Sequence, residues 1–96
     1  MIELQHQFLS YERLLWQTLG SLARRGYFVP PDDARDVVHD FYVEAWQGVS
    51  ERFDPKLGTF ESYLVAAFYR FARRRIVELD VWRRRLSDLT EAAEHK

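Results

Sequence analysis

The segment RFDPKLGTFESYLVAAFYRFARRRIVELDVWRRR, residues 52–85, holds a turn followed by a long helical pattern. In Asp54-Pro55-Lys56-Leu57-Gly58 the proline fixes one backbone dihedral and the glycine permits a positive one. Thr59 then stands where a hydroxyl can cap a helix. Beyond it Phe60, Leu64, Ala67, Phe68, Phe71, Leu79, Trp82 and Leu86 form one stripe at helical spacing, the pattern of a helix with one buried face. Unbroken to Arg85, this helix is about 40 Å long at a rise of ~1.5 Å per residue. Tyr63, Arg70, Arg73, Arg74, Val77 and Arg84 fall on the outer face, while Arg75 and Glu78 are spaced to pair at i, i+3. Seven arginines in residues 70–85 meet only two acids, Glu78 and Asp80.

Two more helices precede the turn. Leu4, Phe8, Tyr11, Leu15, Leu19 and Leu22 form one stripe over about residues 2–25, and Gly26 is a natural stop. Pro30 and Pro31 forbid continuation. A second helix starts near Asp32 or Asp33, either of which suits its N-terminus. Its stripe is Ala34, Val37, Val38, Phe41, Ala45 and Val49, flanked by Tyr42 and Trp46; the opposite face carries Asp36, Asp40, Val43, Glu44 and Gln47. The expected fold is all-α: a compact three-helix bundle with a long basic third helix. Residues 1–86 make the domain, and residues 87–96 read as the start of a linker or a frayed tail. Trp46, Phe71 and Trp82 are expected to be packing residues.

The chain of 96 residues suffices for one small domain, and 47% hydrophobic residues with 16% aromatics can supply its core. There is no cysteine, which fits a reducing compartment. No apolar run approaches the roughly 20 residues of a membrane span, and MIELQHQF lacks the form of a signal peptide. A cytoplasmic location and no membrane partner are expected. The net charge of −1 hides an uneven distribution. Residues 32–54 hold seven acids and two bases, whereas residues 70–85 hold seven bases and two acids. Two charged surfaces of opposite sign suit two different partners, or neutralise each other within the fold. His6, His39 and His95 are too scattered for a metal motif, and the four glycines form no phosphate loop. Neither catalytic activity nor a metal or cofactor is expected.

Three fragments occur in order: DDARDVVHDFYVEAW (residues 32–46), RFDPKLGTFESYL (residues 52–64) and YRFARRRIVELDVWRRR (residues 69–85). The series, covering roughly residues 10 to 85, resembles the second conserved region of bacterial RNA polymerase sigma factors, especially the extracytoplasmic-function group. The resemblance rests on Asp33-Ala34-Arg35-Asp36-Val37-Val38-His39-Asp40, on Phe53-Asp54 with Gly58-Thr59-Phe60 and Tyr63-Leu64, and on the arginine-rich helix that follows. Departures are His39 for the usual Gln, Asp40 for Glu, Tyr63 for the commoner Trp, and Arg74 where many members have Asn.

The resemblance implies a promoter −10 recognition and melting module. The second helix would dock on the clamp helices of the polymerase largest subunit through Asp36, His39, Asp40, Val43, Glu44 and Gln47. The turn and third helix would hold the non-template strand of promoter DNA through Phe53, Lys56, Thr59, Phe60, Tyr63, Arg70, Arg73, Arg74, Val77 and Arg84. A flipped base would sit in the loop around residues 50–59, and Tyr63 ranks above Phe60 as a DNA contact because periodicity points it outward. An anti-sigma factor is a further implied partner. Family members carry a second, −35-reading domain after a linker, and none follows before Lys96. The expectation is a domain of a longer sigma factor, with its linker beginning near Ser87. The alternatives are a stand-alone co-sigma, or an adaptor or decoy that binds polymerase or an anti-sigma factor without reading a promoter.

Overall fold

The computed structural model describes residues 2–94, with side chains from His6 onward; Leu4 and His95 lie outside the described side chains. The described residues form four α-helices and no strand: α1 Ile2–Arg24, α2 Pro31–Glu44, α3 Trp46–Arg52 and α4 Phe60–Glu94, with a 3-10 turn at Pro55–Leu57. The fold is all-α, but the expected three helices are four. No helix is long and apolar enough to cross a membrane among the described residues.

Helix α1 buries Phe8, Leu15, Leu19 and Leu22 on the expected stripe. It ends where Gly26 adopts φ 96°. The Tyr27 N–H reaches back to the Leu22 carbonyl (2.9 Å) and the Gly26 N–H to that of Ala23 (3.1 Å). This paired closure satisfies the last carbonyls of the helix and needs a residue at ease with positive φ. Helix α2 does not start on an aspartate cap. Pro30 occupies the cap position in extended geometry, Pro31 fills the first turn, and Asp32 and Asp33 contribute charge within that turn without a capping hydrogen bond. A missing N–H costs nothing in the first turn of a helix.

The expected second helix is broken at Ala45, whose φ of −125° and ψ of −25° interrupt the α geometry. The Ala45 N–H still reaches Phe41 and the Ala45 carbonyl still accepts from Val49, each at 2.9 Å, so the break is a kink and not a loop. The kink coincides with burial of Trp46, only 2% exposed, against Phe8, Tyr11 and Phe60 at centroid distances of 5.3, 6.1 and 5.8 Å. An indole placed this way removes a large apolar area from water. Before the break, Ala34, Val37, Val38 and Phe41 are buried as their spacing predicts.

Thr59 caps α4: its hydroxyl accepts the Ser62 N–H at 3.2 Å and donates to the Ser62 hydroxyl at 3.0 Å. Just before it, the Asp54 carboxylate accepts the Lys56 N–H at 2.9 Å, and Gly58 adopts φ 145°. Helix α4 buries Leu64, Phe68, Ala72 and Ile76 in successive turns, with Phe60, Ala67, Phe71 and Leu79 half-buried beside them. Ala72 and Ile76 were not in the expected stripe. Trp82 and Leu86 were, yet Trp82 is 58% exposed and Leu86 also faces solvent. The reason is the lack of anything opposite them. The connection after α1 crosses α4 near Ile76 and Leu79, and residues 80–94 are exposed throughout. The helix continues to Glu94, past the arginine run, so residues 87–94 are helical. This arm explains a radius of gyration of 16.4 Å and a long axis of 60 Å, against about 13 Å for a compact chain near this length.

Residues of the same apparent stripe should therefore respond differently to truncation. Phe41→Ala is expected to destabilise the bundle by about 3–5 kcal/mol in urea denaturation, and Trp82→Ala to change it by no more than about 0.5 kcal/mol. Gly58→Ala should cost about 1–3 kcal/mol, because its backbone lies in a region essentially reserved for glycine.

Candidate functional site

The arginines of α4 divide by their partners. Arg75 crosses to α2: its Nη2 donates to Glu44 Oε2 at 2.6 Å, and its Nη1 lies 3.5 Å from Asp40 Oδ2. Its guanidinium also lies 5.2 Å from the Phe71 ring centroid. The expected Arg75–Glu78 pair is present only at 4.0 Å and is the weakest of these contacts. Arg83 pairs with Asp33 in the first turn of α2, and Arg84 pairs with Asp80 one turn back at 3.0 Å. Arg70, Arg73 and Arg74 are exposed and make no ion pair among the described residues. Thus the long basic run contains cations paired with carboxylates, a compact set that is not, and Arg85, exposed and without an ion pair on the arm among the described residues.

That set is joined by residues which sequence reasoning missed. Arg25, at the end of α1, donates from Nη1 to the Tyr69 hydroxyl at 2.9 Å, with its guanidinium 5.5 Å from the Tyr69 ring centroid. Arg73 lies 5.2 Å from the ring centroid of Tyr27. A ring face holds a guanidinium through its quadrupole while leaving N–H donors free for another acceptor. Beside these stacks lies a cleft of about 320 Å³ lined by Tyr69, Arg70, Arg73, Arg74, Val77 and Glu78. Val77, expected in the site, is exposed there. Arg25 and Tyr69 are 44 positions apart, so no periodicity within one helix associates them.

The turn before α4 forms a second cleft, of about 220 Å³, lined by Arg52, Phe53, Asp54, Leu57, Gly58, Thr59, Ser62 and Tyr63. Its rings touch: Phe53 meets Phe60 at 5.2 Å nearly edge-on and Tyr63 at 5.8 Å. Tyr63 does not project freely from the outer face as expected. It is half-buried and packs against the core, as does Phe60, which also meets Tyr11 at 5.1 Å. Lys56, expected in the site, is exposed and does not line this cleft, and the Thr59 hydroxyl is committed to the cap. Arg84 stands apart from both clefts, on the solvent-exposed arm.

Of the α2 residues, Asp36, His39 and Val43 face solvent, Val43 at 66% exposure. Gln47, beyond the kink in α3, is exposed and donates to Glu51 at 3.1 Å. Asp40 and Glu44 point to the same side but are held by Arg75. The acidic face is therefore partly neutralised at its α4 border and unpaired around Asp36. The two charged blocks thus neutralise each other in part, through Arg75 and Arg83, and leave Asp36 and the set Arg70, Arg73 and Arg74 without ion pairs among the described residues. Comparison with protein-family models, curated proteins and solved structures finds no match.

The interhelical pairing can be weighed directly. A double-mutant cycle between Arg75 and Glu44 is expected to give a coupling of about 0.5–1 kcal/mol that shrinks as salt is added. The cycle between Arg75 and Glu78 should give no more than about 0.5 kcal/mol.

Proposed function

We propose that this chain is a promoter-melting module of bacterial transcription initiation, of the kind found in sigma factors. In this role the α2 face around Asp36, His39 and Val43 docks on a basic helical surface of RNA polymerase. The turn and α4 then hold the single strand of a melted −10 element. The observation that most favours this reading is the unpaired set Arg70, Arg73 and Arg74, lying beside stacked Arg25 and Tyr69, on a chain whose net charge is −1. Guanidiniums without internal carboxylates are open to phosphates. A near-neutral total keeps nonspecific attraction to DNA low until polymerase presents the module.

The turn cleft, with Phe53, Tyr63 and Arg52 among its lining residues, offers a ring-lined recess for an unstacked base. An unstacked base exposes a π face, and aromatic walls meet that face whatever the base, so sequence preference rests on polar contacts within the recess. Asp40 and Glu44 join the docking face less freely than Asp36, since a basic partner residue must compete there with Arg75.

Replacing Arg70, Arg73 and Arg74 together by Ala should abolish binding of a −10 single strand in a polymerase-bound complex while destabilising the chain by no more than about 1 kcal/mol, the worth of the exposed Arg73–Tyr27 stack. Unaltered strand binding by that variant would sink the proposal. Asp36→Lys with Val43→Asp should instead prevent association with core polymerase, measured by co-elution; both residues are exposed, and Asp36 makes no ion pair among the described residues.

A further inference from the structure

Between α1 and α4 runs an open groove of about 780 Å³ that the proposed contacts leave unused. Its floor mixes apolar Leu14, Val65 and Ala66 with polar Thr18, Ser21 and Ser62. Thr18 is buried and its hydroxyl donates to the Leu14 carbonyl at 2.9 Å, so the floor is fixed by packing and hydrogen bonding. One end is basic, with Arg25 and Arg70, and the other carries Glu61.

The groove adjoins both clefts described above through shared lining residues. Ser62 lines it and the turn cleft alike. Tyr69 and Arg70 line it and the arginine cleft alike. The three recesses form one track along α4 from Ser62 to Val77, about 22 Å at ~1.5 Å per residue. We propose that the α1–α4 groove is the middle of this track, crossed by a single nucleic-acid strand with a phosphate held between Arg25 and Arg70. This assignment rests on the reading of α4 as a strand-binding surface, and it makes the end of α1 part of that surface.

Charge selects the occupant. Arg25 and Arg70 have no carboxylate partner among the described residues, and Tyr69 orients Arg25 by a hydrogen bond and a ring face. Glu61 repels phosphate at the opposite end, so base and sugar, not phosphate, lie over that stretch of the floor. The small side chains of the floor leave room for them.

The test is fluorescence anisotropy of a labelled thymidine oligomer with the full chain at low ionic strength. Arg25→Ala is expected to weaken binding about fivefold and to lower the slope of log affinity against log salt by about 0.7, the share of one phosphate on a single strand. Arg25→Lys should restore most of the affinity, which a merely structural role for the guanidinium–ring stack would not. If the Arg70, Arg73 and Arg74 triple variant loses binding while Arg25→Ala binds like the unaltered chain, the groove assignment falls and the wider reading stands. No strand binding by the unaltered chain at low salt overturns the groove assignment and leaves the wider reading to the polymerase-bound test. A glutamate oligomer of equal charge binding as tightly as the strand overturns the choice of occupant.

Discussion

Phe41 ties the two charged helices together. Its ring, only 1% exposed, meets Phe68 at 5.0 Å and 85° and Phe71 at 5.4 Å and 69°, both near edge-on. Edge-to-face packing fixes orientation as well as distance, because the positive rim of one ring seeks the negative face of another. This contact sets the rotation of α4 relative to α2. Everything on the surface of either helix inherits its direction from that choice.

Immediately outside the ring contact, Phe71 supports the Arg75 guanidinium, which in turn takes Glu44 and Asp40. The polar bridge sits on the border of the apolar seam, where a half-buried arginine keeps its stem in contact with rings and its head near water. One consequence is electrostatic. The positive charge of α4 nearest α2 is cancelled locally, so the field of the remaining arginines is displaced towards α1. There Arg25 joins them through Tyr69, and Tyr27 supports Arg73. The cationic surface is thus a composite of two helices and the connection after α1.

Much of the fold was readable because local rules and burial agreed. Gly26 ended α1, Thr59 capped α4, and the turn at residues 54–58 took the form its proline and glycine imply. The helical repeat identified the inward faces of α1 and α2 up to Phe41. Periodicity failed where the answer lay in distant residues. Neither glycine nor proline marks Ala45, and the kink there serves a tryptophan whose neighbours, Phe8 and Phe60, lie far off in sequence. Trp82 kept the helical phase of the core, but phase says which way a side chain faces, not whether another helix is there to cover it. The same limit governs the candidate site. Arg70, Arg73 and Arg74 stood out by spacing, whereas the preference of Arg75 for Glu44 over Glu78, and the arrival of Arg25 beside Tyr69, depend on helix packing.

Helix α4 is one element by geometry and two by thermodynamics. Its first half is anchored by Leu64, Phe68, Ala72 and Ile76, so its amides open only when the bundle does. Its last 15 residues, 80–94, are exposed and are held by backbone bonds, the Arg83–Asp33 pair to α2, the Arg84–Asp80 pair and the Thr90 hydroxyl on the Leu86 carbonyl at 2.9 Å. The packed half supplies the nucleus, so the distal half extends it at a propagation constant near ~1, with no further nucleation penalty. Beyond the Arg83 tether order is therefore graded, falling turn by turn towards Glu94, and the position where helix gives way to coil shifts with temperature and salt. A partner gripping the arm would lengthen the ordered helix, and one pulling on it would shorten it, in either case without disturbing the core.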